Sequence, residues 1–320
     1  MGTNKFGVKI NILLLVFSIL LSLLMAEVFF RFYMNRMSDS IQDIGASAWY
    51  NSKLKHSPDI MYINAPSNSE YFLSKTLEDD YLLNKDKYII LVLGDSFTHG
   101  VGLLNGSNRY SRQLQKKLGD DFFVVNLGWG GANIDDYLTI SNLFFEKYHA
   151  NLTIIGYFPN DIDPDVSIRL PNNEIEILKY PAKKSALFYF IKRSLENKLQ
   201  LYLNRYIISF KDETTLKKHE SYIKKLSSFI KSKNSAVMII SIPFLYQLND
   251  FTNYPMAHQI AFLENVSINN NIYFLDLYPY FKNFKPKKVW ANKFDHHPNR
   301  LGHEIIANAT YDYLISDVIS

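Results

Sequence analysis

The stretch from Tyr88 to Gly102, Y-I-I-L-V-L-G-D-S-F-T-H-G-V-G, constrains this chain more than any other. Ile89 to Leu93 is a short apolar run rich in β-branched residues, the pattern of a strand buried on both faces of a parallel sheet. It breaks sharply at Gly94-Asp95-Ser96, with further glycines at Gly100 and Gly102. In open α/β sheets the crevice outside the strand ends is where ligands bind, so a serine at the end of a central strand stands in a working position. Gly94 permits a tight turn, and the amide of Ser96 can face an anionic oxygen. Gly, Asp and Ser are equally the residues of an ordinary turn, so the decision falls to residues further along the chain.

The same alternation continues downstream. Phe122 to Asn126, Leu152 to Phe158, Ala236 to Ile242 and Ile272 to Leu277 read as further short strands. Between and after them, Ser107 to Leu118, a segment from Asn133 to Tyr148, Thr214 to Ser232, Pro255 to Asn269 and a final segment carrying Leu301, Ile305, Ala309 and Tyr313 read as helices. Alternating strands and helices define an α/β fold with a parallel sheet.

Three strand-end loops carry polar or glycine-rich sequence. Leu127-Gly128-Trp129-Gly130-Gly131-Ala132-Asn133 allows close backbone approach to a ligand, and with Asn133 as N-cap it also offers free amides to an oxyanion. Pro159-Asn160-Asp161 follows the third strand, and Asn160 either aims its amide into the crevice or serves as a turn residue. Phe294-Asp295-His296-His297-Pro298-Asn299 precedes the last helix. Adjacent histidines on a short loop rarely converge on one ion, whereas a single His oriented by an Asp suffices as general base to a serine.

Composition narrows the partners. A net charge of +4 with no dense basic stretch gives nucleic acid little to bind. The absence of cysteine removes disulfides, thiolate metal sites and cysteine nucleophiles together. Ile10 to Phe30 is strongly apolar, broken only by Asn11, Ser18, Ser22 and Glu27. About 20 such residues cross a bilayer as a helix. Cleavage as a signal peptide after Ala26 is disfavoured because Leu24 would then occupy the −3 position. An uncleaved anchor through residues 10–30 is expected. Lys5 and Lys9 precede it and Arg31 and Arg36 follow, a slight bias placing the N-terminus in the cytoplasm and the bulk of the chain outside.

The expected organisation is therefore a tip and anchor over 1–36, a lead-in over 37–85, and a main domain over 86–320 interrupted by an insertion at 162–210. The lead-in carries Trp49, Tyr50, Tyr62, Tyr71 and Phe72 among breakers at Pro58 and Pro66, and says nothing about chemistry. In the insertion, Pro164, Pro171 and Pro181 space out a polar loop before an aromatic, basic helix from Ser185 to Ile208. A lid over the active-site rim, an amphipathic contact with membrane, and ordinary packing are the three readings of it.

These residues together resemble the SGNH, or GDSL, serine hydrolase family, whose members carry four short blocks in order. Gly94-Asp95-Ser96 matches the first, Asn126 to Gly131 the second, Asn160-Asp161 the third and Asp295-x-His297 the fourth. The glycine usual two residues before Asn160 is Phe158 here, and the more common Asp-x-x-His spacing would place Phe294 rather than Asp295 in the acid position. The shorter Asp-x-His form also occurs in relatives acting on polysaccharide acyl groups. The resemblance covers residues 86–318 and implies a three-layer, flavodoxin-like α/β fold. It implies Ser96 as nucleophile, His297 as base and Asp295 as its orienting acid. It also implies an oxyanion hole from the amides of Ser96 and Gly131 (Gly128 and Gly130 being alternatives) and the side chain of Asn160, with no metal or organic cofactor. The implied activity is hydrolysis of acyl esters, with an extracytoplasmic glycan as the favoured substrate. Acyl transfer to a surface polysaccharide, lipid ester hydrolysis and glycan binding without catalysis are the alternatives.

Overall fold

Five apolar runs become the five strands of one parallel sheet: β1 (Tyr88–Gly94), β2 (Phe122–Asn126), β3 (Leu152–Tyr157), β4 (Ala236–Ser241) and β5 (Tyr273–Asp276). The computed structural model describes residues 5–37, 75–103, 105–162, 176–198, 201–245, 248, 254–292 and 295–319. The lead-in aromatics, Pro58, Pro66, Pro164, Pro171 and Phe294 lie outside the described residues.

Ile89 through Leu93 have no solvent exposure, which requires cover on both faces of the sheet. Helices supply it in two sets. Tyr110–Leu118 packs on Arg300–Tyr313, while Glu213–Ser232 packs on Ile134–Phe145 and on Ala257–Asn269. The result is the three-layer α/β architecture expected from the alternation.

The strand order is β2-β1-β3-β4-β5, so the direction of winding reverses between β1 and β3. This is the flavodoxin-like order, and its ligand crevice lies at that reversal, outside the carboxyl ends of the strands. Register sharpens the point: Val92 pairs with Asn126, and Gly94 with Gly156. The loops leaving β1, β2 and β3 therefore emerge side by side.

Three local departures from the sequence reading have physical causes. Within the lead-in, Lys75–Asn84 is a helix that buries Leu77 and Tyr81, although its apolar positions are too few for a strong periodic signal. The insertion's aromatic segment is helical over Ala186–Lys198 and Leu201–Ser209, as expected, but the turn before it is itself helical over Glu176–Lys184, with Pro181 inside. The His-His segment is an ordered ribbon rather than a loop: β6 (Trp290–Asn292) pairs antiparallel with β7 (Asp295–Pro298).

The chain divides into two compact units. One comprises 1–39 with 172–201, and the other 40–171 with 202–320. The first is built on a helix of 33 residues, Lys5–Met37. Its segment Lys9–Phe32 has a mean hydropathy of 2.7 and is long and apolar enough to cross a membrane. At 1.5 Å per residue it extends about 36 Å, against about 30 Å of hydrocarbon.

Candidate active site

The site begins where β1 ends. Asp95 caps the helical turn Ser96–His99, its Oδ1 accepting from the Phe97 amide at 2.8 Å. A Cβ on Gly94 would fall 2.0 Å from Thr98 Oγ1, so only glycine lets this turn fold back against the strand. That folding presents Ser96 at the mouth of the crevice, mostly buried at 8% exposure.

The loop after β2 is pinned to the same turn. Asn126 Nδ2 donates to the Thr98 carbonyl at 2.9 Å and its Oδ1 accepts from the Gly128 amide at 2.8 Å. The Trp129 amide donates to the Gly94 carbonyl at 2.8 Å. Asn126 thus ties the second loop to the first. Gly131 follows at a φ of 83°, two residues before Asn133, which caps the next helix through a full capping box.

The third loop supplies Asn160. Its Nδ2 donates to Asp95 Oδ2 at 2.8 Å, so the amide stands beside Ser96 and is anchored by the residue preceding it. The next residue, Asp161, points inward and accepts from Tyr137 Oη at 2.6 Å and from the Phe158 amide at 3.0 Å. Burial pushes the carboxyls of Asp95 and Asp161 above the ordinary carboxylate range, Asp161 well above it, where the charge of Asp95 adds to the rise. Phe158, in place of the family's glycine, stacks on Phe97 with ring centroids 3.7 Å apart. The departure therefore fills the floor under the nucleophile's turn.

The ribbon completes the set. Successive side chains on a strand point to opposite faces, so residues two apart share one. Asp295 and His297 share a face of β7: Asp295 Oδ1 lies 2.5 Å from His297 Nδ1 and also accepts from the His297 amide at 3.0 Å. On the other nitrogen, His297 Nε2 lies 2.8 Å from Ser96 Oγ. His296 takes the opposite face, its ring 4.3 Å from that of Trp290. The short Asp-x-His spacing is thus what a strand needs to align acid and base. Gly102, at a φ of 90°, lets the ribbon approach, since a Cβ there would lie 2.6 Å from Ala291 Cβ and 3.4 Å from His297 Cβ.

Ser96, His297 and Asp295 form one hydrogen-bonded chain, Asn160 joins it through Asp95, Gly131 lies on the loop that follows β2, and His296 faces away. Sequence reasoning missed the brace by Asn126, the Asp95–Asn160 contact, the buried Asp161–Tyr137 pair and the role of Gly102. Only Gly102 left a signal, as a second glycine close behind the first. Among the described residues, no three His, Cys, Asp or Glu side chains gather into a cation site. Chemically, an imidazole bonded to both a hydroxyl and a carboxylate can draw the proton from that hydroxyl.

Residues 92–305 match the model of the GDSL-like Lipase/Acylhydrolase family. The chain belongs to that family and is an ester-hydrolysing enzyme. No curated protein matches it. Among solved structures it is similar to the psychrotrophic esterase EstA from Pseudoalteromonas sp., at 15% identity and a TM-score of 0.48, over 73% of this chain and 100% of that one. It is also similar to an acetylxylan esterase from Geobacillus stearothermophilus, at 15% identity and a TM-score of 0.44, over 70% and 93% of the two chains. TesA aligns at 14% identity and a TM-score of 0.46, over 71% and 97%.

Proposed function

We propose that this enzyme cleaves acyl esters through Ser96, His297 and Asp295, and that its substrate is the O-acyl group of an extracytoplasmic glycan. The observation that carries the first part is the continuous chain from Ser96 Oγ through the His297 ring to Asp295, with links of 2.8 and 2.5 Å. Ser96 Oγ attacks the ester carbonyl while His297 Nε2 takes its proton, and Asp295 holds the imidazole in the tautomer that leaves Nε2 free to accept. The tetrahedral oxyanion is met by the amides of Ser96 and Gly131 and by the Asn160 side chain. Collapse expels the alcohol, protonated by His297, and leaves an acyl-serine. Water then attacks with His297 again as base, releasing the carboxylic acid and restoring Ser96.

The glycan part rests on the Asp-x-His form, which family members acting on polysaccharide acyl groups share, and on a membrane anchor with the catalytic unit outside. A sugar hydroxyl in place of water at the second step would make the same acyl-enzyme a transferase. The test is turnover of p-nitrophenyl acetate by the full chain. Ser96→Ala is expected to lower kcat by about 10⁴-fold or more with unchanged folding. Undiminished turnover in that variant removes Ser96 from the mechanism. Release of acetate from an acetylated polysaccharide, absent with a lipid ester, supports the glycan; the reverse preference contradicts it.

A further inference from the structure

The unit formed by the N-terminal helix and residues 172–201 contains a joint that ester hydrolysis does not use. Glu27, the sole acidic residue between Ile10 and Phe30, is directed at the start of the helix Ala186–Lys198. Its Oε2 accepts from Ser185 Oγ at 2.6 Å and from the Leu187 amide at 3.0 Å. Its Oε1 accepts from the Ala186 amide at 3.1 Å and from Arg31 Nε at 2.6 Å. The first amides of a helix have no partner within it, and a carboxylate there also meets the positive end of the helix dipole. One helix thus caps another, and the Phe30 and Phe190 rings, 4.3 Å apart, close the joint.

The position of the joint sets a depth. Glu27 precedes Phe32, the end of the apolar span, by about 8 Å at 1.5 Å per residue. With the span's excess of about 6 Å over the hydrocarbon lying at this end, Glu27 falls close to the boundary between acyl chains and headgroups. At that level the paired helices Glu176–Lys184 and Ala186–Lys198 leave large apolar side chains uncovered. Ile177 and Tyr180 are 83% and 72% exposed, and Phe188, Ile191 and Leu195 are 40%, 36% and 40% exposed. The last three recur at i, i+3 and i+7, one stripe of a helix. The same 23 residues hold six basic side chains against two acidic ones, an excess equal to that of the whole chain. An apolar stripe with a basic complement, held at the headgroup level, has the chemistry of a helix lying in an anionic lipid surface.

We propose that residues 176–198 form an interfacial membrane element, seated in the headgroup layer beside the anchor and clamped to it by Glu27. This rests on reading the N-terminal helix as a membrane span. Because the chain has no cysteine, single cysteines report without background. Phe188→Cys, Leu195→Cys, Lys217→Cys and Leu20→Cys, each labelled with an environment-sensitive fluorophore, would be placed in full-length protein in vesicles of phosphatidylcholine and phosphatidylglycerol. Headgroup-proximal spin-labelled lipids are expected to quench positions 188 and 195 several-fold more than position 217, an exposed side chain of the catalytic unit. Lipids labelled deep in the acyl chain are expected to quench position 20. Quenching at 20 with none at 188 and 195 overturns the proposal, as does disulfide crosslinking of Leu195→Cys between copies, which would put a second chain on the stripe. Absence of quenching at 20 overturns the anchor itself, a separate failure. Adding Glu27→Leu is expected to lower quenching at 188 several-fold and leave 20 unchanged; no change at 188 overturns the clamp.

Discussion

His296 and His297 are neighbours in sequence and opposites in space, because β7 turns alternate side chains to opposite faces. One faces Ser96 and the other packs on Trp290. The expected consequence is a wide gap between two alanine variants. His297→Ala should lose about 10⁴-fold or more in kcat, as removal of a base from a serine–histidine pair does. His296→Ala should retain most of its turnover. Steady-state kinetics on an aryl ester checks this, and equal losses would contradict the assignment. At this scale much was legible: a Gly-Asp-Ser turn after an apolar strand and an Asp-x-His before a helix announce themselves by residue type. The link from Asn160 to Asp95 was not. It joins positions 65 apart through a register set by β1 and β3, and no local pattern encodes that.

At the scale of elements, the loop holding Gly102 and the ribbon β6–β7 must interlock for the base to reach the nucleophile. Gly102 and Gly119 offer a matched comparison, with φ of 90° and 80°. A Cβ at Gly119 meets nothing within 4 Å, whereas one at Gly102 collides with Ala291, on the ribbon that carries His297. Gly119→Ala should cost only the backbone strain of its positive φ, about 1–3 kcal/mol. Gly102→Ala should in addition lower kcat by displacing His297. Thermal melts with kinetics on both variants separate strain from displacement, and equal kinetics would contradict the interlock. The helix Arg300–Tyr313 carries a second test. His303 is buried with its Nδ1 accepting from the Tyr110 amide, and burial first, then the charge of Arg109, hold its pKa down at about 3. Between about pH 6.5, the ordinary value, and about 3, the unfolded chain takes up a proton that the folded one refuses. The stability contribution of His303 is therefore complete above pH 6.5 and is lost as pH falls. Asp276 opposes it: burial raises its pKa to about 6, so its contribution is lost as pH rises from about 4. His303→Gln should be less stable than the parent at pH 7, and the Tm gap should narrow toward pH 4. A gap that stays constant or widens would contradict a neutral buried imidazole. The five strands were legible because each is a short, mostly apolar run. The ribbon β6–β7 was hidden by its brevity and polar content.

Over the whole molecule, the family, the α/β class and the apolar N-terminal span could all be read from sequence. The grouping of 172–201 with the N-terminal helix could not, because contacts such as Glu27 with Ser185, 158 positions away, and Phe30 with Phe190 leave no local pattern. If the catalytic unit lies outside the membrane, protease added to spheroplasts should cut the chain beyond Arg36 while a cytoplasmic marker survives. Protection of that region, with known external proteins digested, would contradict the placement. The central claim is that Ser96 is the nucleophile, and active-site labelling tests it most directly. Purified full-length enzyme would be treated with a fluorophosphonate, which phosphonylates activated serines, and its peptides would be weighed by mass spectrometry. The account predicts a single adduct on Ser96, formed much more slowly in His297→Ala and absent in Ser96→Ala. An adduct on another residue, or undiminished labelling of Ser96→Ala, would contradict it.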